Sequence, residues 1–153
     1  MATSIQQRLY PFSTCYGCGP ANSKGLQLQS FEEGDEVVCT FHPEEHHSNG
    51  MGTLSGGVIA TLLDCHSGAA VFVESARRSA SGTEFQPWVT TGLEIRYRLP
   101  TLLDTPSELR ARIIDAEADV MAVQATLRIE GKERGQAESR WVRIDRKERP
   151  IDA

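Results

Sequence analysis

Positive charge is in short supply. The 153 residues carry 16 Lys and Arg against 21 Asp and Glu, a formal net charge of −5, and the isoelectric point is near 5.4. A nucleic-acid surface shows the reverse, clustered cations and a high isoelectric point, so nucleic acid is excluded as a partner. The basic residues are scattered among acids, most densely in the C-terminal RIDRKERPIDA. A secretory leader is lacking as well: MATSIQQRLYPFST has neither a basic start nor an apolar run of about 7 to 15 residues. No unbroken run of about eighteen apolar residues is present, so no membrane span is expected. The four cysteines lack the spacing of a secreted disulfide framework, which points to the cytoplasm. Repeats, low-complexity tracts and linkers are absent too. One domain over residues 1–153 is therefore expected, with residues 1–14 as an N-terminal arm and 146–153 as a polar tail. A chain of this size buries about 68 to 70% of its unfolded surface and needs neither metal nor disulfide to fold.

What is present centres on GMGTLSGGVIATLLDCHSGAAVFV, Gly50 to Val73, in which Asp64 is the only formal charge. A helix beginning near Gly56-Gly57 places Val58, Leu62, Cys65, Ala69 and Val73 on one stripe with the spacing of a buried face. The opposite face holds Gly57, Ala60, Asp64, Ser67, Gly68 and Val71, mostly side chains too small to fill space, so the carboxylate projects into a gap. His66 lies about 200° from Asp64 and reads as a hydrogen-bonded core histidine.

The flanking chain reads as sheet. Leu26 to Phe31 and Glu36 to Phe41 form a hairpin across Glu33-Gly34-Asp35. Trp88 onward alternates, with Leu93, Ile95, Tyr97 and Leu99 on one side. Residues 107–116, 119–130 and 135–145 supply three more strands, joined at 117–119 and 131–133. Two strands, one long helix and four strands in a meander make an α+β domain, in which the helix must cover the apolar face of an antiparallel sheet. On this reading the Asp64 face points away from the sheet and a second subunit covers it.

Two further patterns bear on chemistry. In CYGCGPANSKGL, Cys15-x-x-Cys18 reads as half a zinc site, a redox pair or ordinary thiols; no second CxxC follows, and no metal is assigned. From Asn49 to Gly57, glycines at 50, 52, 56 and 57 and the hydroxyls of Thr53 and Ser55 lead into a helix start. Its free N–H groups and positive dipole end suit a carbonyl oxygen or an anion. Asp64 lies two turns on, roughly 10 Å from Gly57 by the rise per residue, too far to serve the same carbonyl. A composite site, with the acid of one chain facing the helix start of another, resolves the mismatch. A salt-bridged interface acid and a glycine pair that merely permits close packing remain the alternative.

CYGCGPANSKGL, the pattern NGMGTLSGG followed by VIATLLD, and the YRLP strand end resemble the hotdog-fold acyl-CoA thioesterases of the phenylacetic-acid-degradation (PaaI-like) type, from about Cys15 to Val142. That family usually has His-Gly-Gly, with an acid nine residues after the His and Asn or Gln six before it. Here those offsets from Ser55 reach Asp64 and Asn49, and Ser55 stands in place of the His. The resemblance implies a hotdog fold, a long central helix wrapped by about six antiparallel strands, and hydrolysis of an acyl-CoA thioester without a cofactor. It implies Asp64 as general base or nucleophile, Gly57 N–H as the group polarising the carbonyl, and Asn49 as an orienting residue. Ser55, Gly56, Thr61, Ser67, Gly68 and His47 are expected around the substrate, with Arg77, Arg78, Arg96 and Arg98 as candidates for the CoA phosphates. A homodimer or dimer of dimers is expected. The alternatives are a non-catalytic acyl-CoA or acyl-carrier binding protein and a hydratase-like hotdog enzyme.

Overall fold

The structure is a computed structural model and describes residues 1–144; the expected polar tail at 146–153 lies outside the described residues. Its elements run α1 (Ile5–Leu9), β1 (Phe31–Glu33), β2 (Glu36–Phe41), a 3-10 turn (Glu45–His47), α2 (Gly56–Arg77), β3 (Trp88–Tyr97), β4 (Ser107–Ala116), β5 (Val120–Ile129) and β6 (Lys132–Arg143). The strands form one antiparallel sheet in the order β1-β2-β4-β5-β6-β3, and α2 packs against β2 through β6. This is the α+β arrangement of a hotdog fold.

The central strand shows why the sheet forms where it does. Along β5 burial alternates strictly, with Met121, Val123, Ala125, Leu127 and Ile129 inward, the period-two pattern of a sheet with one covered face. Leu62, Leu63 and Val71 of α2 are fully buried against that layer; burial of such a side chain contributes about 1.5–3 kcal/mol. The β5–β6 hairpin turns at Glu130 and Gly131, both with positive φ (51° and 79°), the geometry of a tight two-residue turn. The joint therefore lies one residue earlier than the expected 131–133.

Four expectations need correction. Residues 1–14 are not a free arm: Ser4 and Gln7 form a capping box at the start of α1, and Ile5, Leu9 and Tyr10 are buried in the core. A five-residue helix is too short to show a period in sequence. Leu26 to Ser30 is not a strand; β1 begins at Phe31. On β3, Ile95 packs against the core as expected, but Leu93, Tyr97 and Leu99 beyond its end are 38%, 56% and 37% exposed, because β3 is the sheet edge and its second half is covered only in part. Finally, Ser67, Gly68 and Val71 are buried on the sheet side of α2, not on an open face. The sheet curls round the helix and covers a wider arc than the stripe from Val58 to Val73; the site for a Cβ on Gly68 lies 2.9 Å from the Trp141 ring.

His66 is the core histidine that the helix phase predicts. Its Nε2 lies 2.9 Å from the carbonyl of Val37 and its Nδ1 2.8 Å from Ser30 Oγ. A carbonyl only accepts, so Nε2 carries the proton and the Ser30 hydroxyl donates to Nδ1. Gln6 Nε2 donates to the same Ser30 oxygen, and Ser30 N–H donates back to Gln6 Oε1. This buried chain ties α1, the segment before β1, α2 and β2 together.

Candidate active site

Asp64 sits near the middle of α2, half-buried, and is turned toward β3, not away from the sheet as expected, because the curled sheet reaches round to this face of the helix. The Thr90 hydroxyl donates to its Oδ1 at 2.6 Å. Burial pushes the Asp64 carboxyl above its ordinary value; the Thr90 bond opposes that shift, and negative charge on Cys15 adds to it. A carboxylate raised by desolvation and held by one neutral donor is a stronger base than a solvated one. Nothing in the spacing of the sequence pointed to Thr90, one of two adjacent threonines on an exposed strand.

The start of α2 is uncapped. Ser55 is the N-cap residue, yet its side chain makes no capping bond. Among the described residues no acceptor meets the N–H of Gly56, Gly57 or Val58, and the first helical bond runs from Ile59 N–H to the Ser55 carbonyl at 3.0 Å. Free N–H groups at the positive end of a 22-residue helix are suited to a polarised carbonyl oxygen. Gly57 is exposed, and a Cβ there would meet nothing nearer than Ser55 Oγ at 3.7 Å. Gly56 instead touches β3: the Tyr97 hydroxyl donates to its carbonyl at 3.0 Å. Tyr97 is a second contributor that pattern reading missed.

The approach to this helix start is a hydrogen-bonded loop. Ser55 N–H donates to the His47 carbonyl, and Leu54 N–H to that of Thr101. The Asn49 side chain is occupied within the loop: its amide donates to Thr53 Oγ1 at 2.8 Å, and its Oδ1 accepts from Met51 N–H at 2.8 Å and Thr53 N–H at 3.3 Å. Asn49 thus shapes the loop ahead of Gly57. Thr61 bonds back to the Gly57 carbonyl at 3.0 Å. His47 is buried, its Nδ1 accepting from Glu44 N–H; burial, then neighbouring His46, holds its value below the usual one against the pull of Glu44. It lines a groove of about 560 Å³ with His42, Glu44 and His46, which contains neither Asp64 nor Gly57.

Ser67 and Gly68, expected around the substrate, are enclosed within the subunit. Arg77 pairs with Glu32 at 2.6 Å, Arg78 with Glu74 at 3.1 Å, Arg98 with Glu133 at 3.1 Å and Arg96 with Glu94 at 3.7 Å, so each phosphate candidate already has a carboxylate.

A third group gathers beside Asp64. The CYGC loop lies on α2, so close that a Cβ on Gly17 would be 2.3 Å from Cys65 Sγ and 2.8 Å from Thr61 Cγ2. The sulfurs of Cys15, Cys18 and Cys65 all lie within 4.8 Å of one another. The thiols of Cys18 and Cys65 hold Cys15 far below the usual thiol range, and they are themselves raised.

Known proteins share this fold. Residues 51–136 match the family described as the thioesterase superfamily. Acyl-coenzyme A thioesterase 13 of Homo sapiens is 33% identical over 79 residues, 52% of this chain and 51% of that protein; the chain spans about half the length of the curated relatives it matches. A solved thioesterase superfamily protein from Shewanella loihica is 25% identical, with a TM-score of 0.65 over 88% of this chain and 96% of that one. The E. coli PaaI protein from the phenylacetic acid degradation operon shares the fold at 14% identity, with a TM-score of 0.66 over 78% of this chain and 81% of its own. The matched segment begins in the loop before Gly57, contains all of α2 with Asp64 and runs through most of the sheet, and the chain belongs to the thioesterase superfamily.

Proposed function

We propose that this protein hydrolyses an acyl thioester, an acyl-CoA, to the free acid and the thiol. The observation that carries the reading is the desolvated Asp64 carboxylate held by Thr90 on the same helix as an uncapped, exposed Gly57 N–H. A thioester needs both: an activated water or a carboxylate nucleophile at the carbonyl carbon, and a hydrogen-bond donor at the oxygen that becomes negative. Membership of the thioesterase superfamily supports that chemistry.

Along one helix the two groups are seven residues apart, about 10 Å, so the reading pairs Asp64 of one subunit with Gly57 of a second copy. The uncovered apolar side chains of the edge strand β3, Val89, Leu93 and Tyr97, support an association of copies there, since a long apolar edge invites pairing. Asp64 takes the proton of the attacking water, or attacks directly to give an acyl-enzyme anhydride that water then cleaves to free acid and Asp64; the Gly57 N–H stabilises the oxyanion, and the thiolate leaves and takes up a proton. Ser55, where relatives of the PaaI type usually carry His, contributes a hydroxyl at the helix start. Free thiols at all four cysteines fit a cytoplasmic setting.

The test is thiol release from a panel of acyl-CoA esters by the wild type and by Asp64→Asn. Release by the wild type and a loss of about 10²–10⁴-fold in the variant are expected. Binding of acyl-CoA with no release from any ester would overturn hydrolysis in favour of an acyl-CoA-binding protein; equal release by both would remove Asp64 from the chemistry.

A further inference from the structure

We propose that Cys15, Cys18 and Cys65 form a zinc-binding site, three thiolates on one Zn(II) with the fourth position taken by water. The sequence supplies only half of such a site, since Cys15-x-x-Cys18 has no second pair. The fold supplies the third sulfur from the middle of α2, fifty residues from Cys15 in sequence.

The spacing is that of a metal site. A tetrahedral zinc bonded to sulfur at about 2.3 Å sets its sulfurs about 3.8 Å apart. The Cys15 and Cys65 sulfurs are 3.8 Å apart, and Cys18 completes a triangle whose sides are all within 4.8 Å. A cysteine pair joined covalently would sit far closer, about 2.05 Å, and all three thiols are free.

The ligands are also preorganised. Gly19 N–H closes the turn onto the Cys15 carbonyl at 2.9 Å, and Leu26 and Leu28 N–H strap the loop down through the carbonyls of Tyr16 and Gly17 at 2.8 and 3.0 Å. A Cβ on Gly19 would lie 2.4 Å from Cys15 N, so the turn needs glycine there as it needs glycine at 17 against the helix. Cys18 and Cys65 are buried, at 7% and 8% exposure, whereas Cys15 reaches the surface. The site thus has two ligands in low dielectric and an open side through which an ion enters. Soft sulfur ligands in a compact triangle select Zn(II) over oxygen-preferring Mg(II) or Ca(II). On binding, the remaining S–H protons leave to solvent and the loop is fixed to α2 one residue from Asp64.

The experiment uses the full chain, stripped with chelator under reducing conditions and reloaded with Zn(II) or Co(II). About one tightly held Zn(II) per chain is expected. The Co(II) form is expected to show thiolate-to-metal charge transfer in the near ultraviolet and the intense d–d bands of a tetrahedral ion. Cys15→Ser, at the surface, and Cys65→Ser are each expected to weaken Zn(II) by more than the 10–100-fold that loss of an outer partner costs. Cys39→Ser, whose thiol lies on β2 outside the cluster, is expected to retain full binding. The proposal is overturned by failure of the reduced wild type to hold the metal, by weak octahedral Co(II) bands without charge transfer, or by equal affinity in the Cys15 and Cys39 variants. The wild-type cobalt spectrum decides the matter even where Cys65→Ser fails to fold.

Discussion

Thr90 donates its hydroxyl hydrogen to Asp64 Oδ1 at 2.6 Å, joining the edge strand β3 to the middle of α2. That bond makes the acid a positioned group: it fixes one carboxylate oxygen and leaves the other free to take a proton or attack. Thr90→Val keeps the shape and removes the donor. Loss of a donor that positions the acid is expected to lower thioester turnover about 10–100-fold, with a modest fall in thermal midpoint from the lost hydrogen bond. Turnover equal to wild type would remove Thr90 from the site.

Gly57→Ala separates function from folding. The added methyl meets nothing nearer than 3.7 Å, and alanine is favoured over glycine in a helix by about 0.5–1 kcal/mol, so stability is expected to hold or rise. Thioester hydrolysis is expected to fall, because the methyl stands where the substrate carbonyl approaches the backbone. Chemical denaturation and steady-state kinetics on the same sample check both halves; unchanged kinetics would remove Gly57 as the donor.

Gly17→Ala is the steric opposite. Its Cβ would fall 2.3 Å from Cys65 Sγ, and such overpacking typically costs about 1–3 kcal/mol. A lower denaturation midpoint and faster amide exchange across residues 15–28 are expected. A wild-type midpoint would mean that the loop does not rest on α2 as described.

His66 makes stability depend on pH. Burial lowers its value from 6.5 to about 4, against opposing bonds to backbone carbonyls. The unfolded chain therefore takes up a proton near pH 6.5 and the folded chain only near 4. The full contribution is present above pH 6.5, declines as pH falls through that interval, and levels off below it. The loss is on the order of 3 kcal/mol. Urea unfolding at several pH values is expected to show a steeper decline for wild type than for His66→Gln, which is weaker at neutral pH but lacks this proton. Parallel curves would contradict the assignment.

Much of the arrangement is legible in the sequence because it repeats within single elements. The strict alternation in β5, the number of strands and the charge-poor helix all follow from side-chain period. His66 was placed correctly for the same reason. Reading failed where burial depends on what lies opposite. The stripe from Val58 to Val73 underestimated the buried arc of α2, since the sheet curls over Ser67, Gly68 and Val71. The alternation of Leu93, Ile95, Tyr97 and Leu99 suggested a core face, yet on the edge strand only Ile95 packs on the core and Tyr97 reaches only the start of α2, so Leu93, Tyr97 and Leu99 stay largely exposed. The arm before Cys15 looked patternless because its helix is one turn long and its order comes from Gln6 meeting Ser30.

The sequence by itself determined a long helix whose first eighteen residues carry one acid, seven residues past Gly57, inside a six-strand antiparallel sheet. Those features are local: propensity and period act over a few residues and leave their mark in order. Only the tertiary structure decided that Thr90 meets Asp64 across 26 residues and that Cys65 meets Cys15 across 50. Such contacts are set by how the sheet curls on the helix and where a glycine loop comes to rest, and no spacing along the chain records either.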